Sequence, residues 1–457
     1  MAHTHPTQIE SPRTGFLSNR QIPPTMDKAG EKPLSSPQKR SRPIKLAIGA
    51  LLALTTGCEY LQQNSYITEI PWALTGEWVT ADLHTHTRFS DGSYPLAALV
   101  DKAAQGGCDV LAITDHSDLS ERAASPQYFQ AIAQARQIHP ELILFGGLEW
   151  NIPSYQGREH ITMLLEPSLE QPLLGEFKQR FEPSSASDEE ALSWLASQLP
   201  SEDDAILFYN HPSRKDADVR ENLSDYIHWS TGNTLFAGFE GAPGHQKTKP
   251  VGAYHQALKT VDRWDPVAGM IGGVWDTLLD RGANIWAAIA SSDFHNDSLD
   301  YPPCQFARIH IQVPERSHRG VLQALRAGSF WAGHGKVIDS LTVLLAAEGI
   351  ELPLSPGEAA RIETGEAIQL AVTISRNPEN ELTPLIVEVI GNGRNGMPQL
   401  LESATLPPQQ QTVRWSFSAL QPGGDGKSVY FRVRVRKPVQ DGPDLLSYSN
   451  PIRLYLD

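Results

Sequence analysis

Three cysteines in 457 residues are too few for the disulfide framework of a small secreted domain. Cys108 stands just before an apolar run and reads as a small, inert core residue. Basic residues are scarce as well: 38 Lys and Arg face 53 Asp and Glu, a formal net charge of −15. With no compensating basic patch beyond the N-terminal segment, no nucleic-acid surface is expected. The apolar stretch 46–54 is too short to cross a bilayer comfortably, which argues against a permanent transmembrane helix. No internal repeat points to a solenoid. No histidine occurs beyond His334, so the last part of the chain carries no metal-ligand cluster.

What the chain does have is a set of histidines and carboxylates, each placed just after a short apolar run. They read His84-Thr85-His86, Ser90-Asp91-Gly92, Thr114-Asp115-His116, Glu149, His160, His211 and Asp293-Phe294-His295. The runs at 79–83, 110–113, 142–145, 206–209 and 285–289 suit buried parallel strands. Between some of them, 94–105 puts Leu96, Leu99, Val100 and Ala103 on one helical face, and 188–199 is a second helix-like stretch. Strand then helix, repeated, means an α/β chain with a parallel sheet or barrel. Barrels of this kind keep their catalytic residues at the C-terminal ends of strands. Imidazole and carboxylate are the ligand types that bind Zn, Mn or Fe. In an extended chain His84 and His86 project to the same face, so both can reach one ion. Asp293-x-His295 repeats that spacing at a distant strand end. This pattern reads as a metal-dependent hydrolase.

In this order the motifs resemble the PHP (polymerase and histidinol phosphatase) superfamily, over residues 76–336. Trp275-Asp276-Thr277-Leu278-Leu279, Ser291-Ser292-Asp293-Phe294-His295 and Leu325-Arg326-Ala327-Gly328 are also similar to the branch that includes carbaryl hydrolase. The resemblance implies a distorted (β/α)7 TIM-like barrel holding two or three divalent metal ions. It implies one ion on His84, His86, Glu149 and Asp293. Glu149 would bridge to a second, completed by His160 and His211, and Asp91, His116 and His295 would hold a third. Asp91 stands where other members use His. The implied nucleophile is a metal-bridging hydroxide, with Asp293 and Glu149 as the catalytic carboxylates. Asp115 is expected to hydrogen-bond to an adjacent ligand rather than bind metal itself.

Arg88 and Arg158, close in sequence to ligands, are candidates to bind substrate. His139, His228, His245, His255, His310, His318 and His334 lack a matching partner motif and are left out of the site, with His334 a candidate for the cleft wall. A phosphoester substrate needs Arg or Lys near the ions, whereas an aryl ester, carbamate or amide needs an apolar wall. Trp150, Tyr155 and Trp286 are candidates for such a wall. A third possibility is a metal-holding surface protein without activity, against which the full ligand set argues. In each enzymatic case the partner is a small-molecule ester or amide.

At the N-terminus, residues 1–38 are rich in Pro, Ser, Thr and charge and are expected to be disordered. A basic stretch, the apolar run 46–54 and Thr55-Thr56-Gly57-Cys58 follow. Together they resemble a bacterial lipoprotein signal, with Cys58 the lipidated residue that anchors an exported chain to the membrane. Translation from Met26 would give a signal of more usual length. Residues 1–58 are therefore set apart from the hydrolase region, 76–336. From 340 to 457 the pattern changes to short segments at 341–345, 368–374, 385–390, 412–417, 429–435 and 451–456, split by Gly- and Pro-rich turns. Six such strands suggest an antiparallel β-sandwich with a packing role.

Overall fold

The structure is a computed structural model describing residues 65–152, 159–183, 185–214, 226–229, 234–249, 262–418 and 420–457. The expected signal, Cys58, Arg158 and Tyr155 lie outside the described residues. Residues 63–457 form one compact unit. No helix among the described residues is long and apolar enough to cross a membrane.

The chain is a mixed α/β structure. Its first strands are β1 (Tyr66–Thr68), β2 (Glu77–Asp82), β3 (Val110–Ile113) and β4 (Ile143–Gly146). Strands β2, β3 and β4 pair in parallel. Helix α1 (Leu96–Gly106) connects β2 to β3, and the residues it buries are Leu96, Leu99, Val100 and Ala103, the face expected from the sequence. Gly107 ends it with φ at 85°, a left-handed conformation that glycine adopts without steric cost. Helix α2 (Pro126–Ile138) connects β3 to β4, with Ser125 accepting from the Tyr128 N–H and Pro126 opening the first turn.

A second sheet follows in the order β5 (Leu148–Ile152), β6 (Glu159–Leu165), β7 (Ala205–Tyr209), β8 (Phe236–Phe239). Helix α3 (Asp188–Gln198) precedes β7. The run 285–289 is not a strand. It makes isolated parallel bridges instead, Gly238 with Trp286 and Ala242 with Ala290, and further on Thr85 with Phe294. Gly238 explains the close approach, since a Cβ there would sit 1.9 Å from the Trp286 carbonyl oxygen. A further bridge, His116 with Glu149, joins the end of β3 to β5. Neighbours therefore run in a closed circuit through β2, β3, β5, β6, β7, β8 and the 285–294 segment, and the Thr85–Phe294 and His116–Glu149 bridges lie among the expected ligands.

The remaining strands are β9 (Ala307–Val313), β10 (Phe330–His334), β11 (Ile338–Ala347), β12 (Ala359–Ile362), β13 (Ile368–Arg376), β14 (Leu385–Asn392), β15 (Pro398–Leu406), β16 (Thr412–Phe417), β17 (Ser428–Lys437), β18 (Leu445–Ser449) and β19 (Ile452–Leu456). Strands β11, β13 and β16 form a separate antiparallel sheet. From this sheet Val343, Leu345, Leu370 and Val372 share a core with Val387, Val433 and Leu454 from β14, β17 and β19. The second layer does not stop at residue 340, because β18 pairs with β10, β10 with β9 and β9 with β2. One sheet thus carries both the C-terminal strands and the strand that leads into His84. A buried pair reinforces the junction: Arg432 on β17 donates to both oxygens of Asp276 at 2.7 and 3.0 Å. Asp276 lies on α4 (Val274–Asp280).

Cys108 and Cys304 are joined in a disulfide, with Cα atoms 5.5 Å apart and 196 residues between them in sequence. This corrects the expectation of an inert Cys108; nothing local marks two cysteines so distant as neighbours. Closing so long a loop restricts the unfolded chain, which is worth roughly 2–5 kcal/mol. Replacing both cysteines with serine should lower the thermal midpoint measured without reductant, and the parent protein should fall similarly once reduced.

Candidate metal centre

The site is built where extended segments end side by side. Beyond β2 the chain stays extended, with the His86 N–H donating to the Phe294 carbonyl at 3.0 Å. His84 and His86 are buried, and their Nε2 atoms lie 3.1 Å apart. The turn that follows folds tightly under His86: a Cβ on Gly92 would sit 2.4 Å from the His86 carbonyl oxygen. Asp115 secures that turn. One of its oxygens accepts from the Thr87 N–H at 2.7 Å and the Ser90 hydroxyl at 2.6 Å, the other from the Thr87 hydroxyl at 2.7 Å. It reaches His86 through Ser90, whose oxygen lies 3.4 Å from His86 Nδ1, rather than bonding its sequence neighbour His116.

Glu149, fully buried at the start of β5, is the centre of the arrangement. Its Oε1 lies 3.1 Å from His84 Nε2, 2.9 Å from His160 Nδ1 and 3.1 Å from His211 Nε2. Its Oε2 lies 2.9 Å from His116 Nδ1 and 3.4 Å from His86 Nε2. One carboxylate thus faces five imidazoles from four stretches of chain. Asp293 Oδ1 lies 3.3 Å from His84 Nε2 and 3.2 Å from His86 Nε2. Asp91 is the exposed member, 51% accessible, with one oxygen 3.2 Å from His295 Nε2 and the other 3.6 Å from His116 Nε2.

Ligand atoms within 4.8 Å of one another fall into groups: His84, His86 and Asp293; His84, Glu149 and His211; His116, Glu149 and His160; and His86, Asp91, His116 and His295. All nine expected ligands are brought together. The groupings differ from the implied sets in that His160 and His211, although both contact Glu149 Oε1, fall into separate groups, with His116 and His84 respectively.

The residues fit divalent ions on structural grounds. Glu149 Oε2 and Asp293 Oδ2 are buried away from water and face imidazole nitrogens, His116 Nδ1 at 2.9 Å from the first and His245 Nε2 at 3.1 Å from the second. Buried carboxylate oxygens cost several kcal/mol unless a cation meets them. Converging imidazole nitrogens have the same need.

Electrostatics agree. Burial opposes charge on Glu149, but the imidazoles of His160, His84 and His116 outweigh it and hold the carboxyl well below the usual range. Asp293 is held low against burial by His84 and His245. Burial pushes His86 down to about 3 and His160 to about 4, leaving both neutral. On His116 burial is overcome by Glu149 and Asp91, which raise it to about 10. On His245 it is overcome by Asp293 and Asp300, again to about 10. His116 and His245 thus hold protons at pH 8 that must leave before either nitrogen can bind metal. Metal uptake should release protons and weaken as pH falls, which calorimetry in buffers of different ionisation enthalpy would show.

Three residues that sequence reading passed over belong here. Glu240, just after β8, takes His84 Nδ1 at 2.8 Å on one oxygen together with the Ser291 hydroxyl, and the His211 N–H at 2.8 Å on the other. It orients two ligands at once, as carboxylates behind metal-binding imidazoles do. Glu240→Gln should weaken metal binding about 10- to 100-fold while the fold persists, measurable by chelator competition. His245, set aside for want of a motif, lies against Asp293. Arg214, three residues after His211, places Nη2 3.2 Å from His160 Nδ1.

Other expectations fare differently. Arg88 is exposed and donates to the Ser93 carbonyl at 2.8 Å, bracing its own turn. Trp150 packs edge-on against Phe177, and Trp286 donates to the Arg326 carbonyl beneath Gly328. His334 is buried and stacked on Phe306. Each of these three is accounted for as a core residue.

Residues 82–176 match the PHP domain family. No curated protein matches the chain. Among solved structures, a two-domain protein from Bacteroides vulgatus containing a predicted PHP-like metal-dependent phosphoesterase is 16% identical, with a TM-score of 0.42 over 84% of this chain and 97% of the other. An amidohydrolase from Chromobacterium violaceum, with bound sulfate and no metal, is 17% identical, with a TM-score of 0.31 over 54% of this chain and 96% of the other. At these scores neither likeness carries weight for activity.

Proposed function

We propose that this protein is an exported, metal-dependent phosphoesterase of the PHP type, built on a distorted (β/α)7 barrel with a C-terminal β-sandwich. The observation that carries the reading is Glu149, a buried carboxylate facing five imidazoles. The closed circuit of strand neighbours supports the barrel, and the two layers that share a core beyond residue 340 support the sandwich. The Cys108–Cys304 disulfide supports an oxidising compartment, in keeping with a lipid anchor on Cys58.

Two or three divalent ions, of Zn, Mn or Fe, would supply an activated water and positive charge for the leaving oxygen. The chain's own residues do the rest. Glu149 presents one oxygen to His84, His160 and His211 and the other to His86 and His116, fixing both sides of the site. Asp293 is held ionised and is placed to orient the attacking water. Asp91, His116 and His295 are the accessible members, so substrate enters from their side. Arg214 offers a guanidinium beside His160 for a phosphoryl oxygen.

The same observations weigh phosphoryl against acyl transfer. An aryl ester needs an apolar wall, and Trp150 and Trp286 are occupied in the core. A phosphoester needs a cation near the ligands, and Arg214 is there. The test is hydrolysis of matched aryl phosphate and aryl acetate by the chain beginning after Cys58, with Asp293→Ala as control. Cleavage of the phosphate, lost in the variant, supports the reading; preference for the acetate moves the assignment to a carboxyl ester, carbamate or amide hydrolase. Metal uptake without turnover on either would leave a metal-holding surface protein.

A further inference from the structure

We propose that His245 is an additional metal ligand, which with Asp293 and His295 forms a coordination position at the accessible edge of the cluster. The inference rests on the metal centre proposed above and adds to it a residue outside the expected ligand set.

Close passage of the backbone sets the position. Gly244 runs against the Asp293 segment so tightly that a Cβ would lie 2.2 Å from Asp293 Cβ and 2.3 Å from the Ser292 carbonyl oxygen. Any larger residue would push His245 away from the site. His245 itself has φ at 56°, and Asp293 has φ at 46°. Left-handed backbone at two non-glycine residues that face each other is costly and persists where surrounding structure enforces it.

Asp300 then fixes the imidazole. This fully buried carboxylate takes His245 Nδ1 at 2.5 Å on one oxygen and the His295 N–H at 2.7 Å on the other. One carboxylate therefore aims His245 and anchors His295. With Nδ1 committed to Asp300, Nε2 is the atom turned toward the cluster, in the carboxylate–histidine–metal arrangement. It lies 3.1 Å from Asp293 Oδ2. That oxygen is buried, and His245 is the cationic group that faces it. Without metal the two atoms form a buried ion pair, and a divalent cation lying between them would take the place of the imidazole proton. The His245 and His295 rings, with centroids 5.3 Å apart, complete the group, whose ligand atoms all lie within 4.8 Å of one another.

The test compares the protein with its His245→Gln and Asp300→Asn variants, each equilibrated with zinc near neutral pH. Bound zinc is counted by elemental analysis, and affinities are read by competition with a chromophoric chelator. His245→Gln should bind one ion fewer per chain, or hold its weakest ion at least about tenfold less tightly, and Asp300→Asn should weaken that same ion about 10- to 100-fold. His245 is partly accessible, so its variant is expected to fold, and circular dichroism checks both. Unchanged zinc number and affinity in His245→Gln would overturn the proposal. Unchanged zinc with lost turnover would also overturn it, assigning His245 to proton transfer instead. A parent protein that holds no zinc, manganese or iron would overturn the metal centre itself, a result distinct from failure at His245 alone.

Discussion

Glu149→Gln should abolish turnover, by at least about a thousandfold, and strip the site of metal. The side chain keeps its size, so packing changes little. Its charge and one of its two acceptor oxygens are lost, and five imidazoles then face an amide. The amide nitrogen is a donor, so it cannot ligate an ion, and it opposes whichever imidazoles hold protons. Neighbours respond as well: His116, raised to about 10 with Glu149 as its leading carboxylate partner, should titrate lower in the variant. The effect should appear in metal content as much as in rate. A variant that keeps full metal content and loses only rate would mean that Glu149 acts on substrate rather than on ions.

Arg214→Met carries the second large effect, and it discriminates between substrates. A hydrogen bond from a guanidinium to a charged phosphoryl oxygen is worth roughly 1.5–3 kcal/mol, so kcat/KM on an aryl phosphate should fall about 10- to 150-fold. A neutral aryl acetate offers no such oxygen, and its residual hydrolysis should be almost unchanged. Metal content should also be unchanged, because Arg214 contacts His160 Nδ1 without supplying a ligand. Equal losses on both substrates would show that Arg214 merely positions His160.

Much of this site is legible in the sequence because strand ends leave a signature. His84 and His86 follow an apolar run with period two, and the structure turns both into one buried pocket. Val110–Ile113 is a strand as read, with Asp115 and His116 just beyond it. The face of α1 is equally plain, since its apolar spacing is its burial pattern. Other parts leave weaker traces. Residues 285–289 have a strand's composition, yet they pair by single bridges, with the Trp286 backbone bonded to Ala237 and Phe239 across Gly238. Pro398–Leu406 is mostly accessible at a sheet edge, so no apolar alternation announces it.

The missed functional residues divide the same way. Glu240 follows the apolar run at 235–239, and the strand-end rule that found Glu149 would have found it too. His245 has no run before it. Its only mark is the preceding glycine, which acquires meaning once Asp293 is seen beside it. The partnership of Cys108 with Cys304 spans 196 residues and has no local signal at all. Asp300 is similar, a carboxylate in a loop whose role depends on two imidazoles brought to it by the fold.

The most direct measurement is anomalous X-ray scattering from crystals of the protein grown with zinc or manganese, recorded at the metal's absorption edge. The account predicts at least two peaks in the cluster, flanking the two oxygens of Glu149. Density for ions elsewhere, or none beside Glu149 in crystals that turn over substrate, would contradict it.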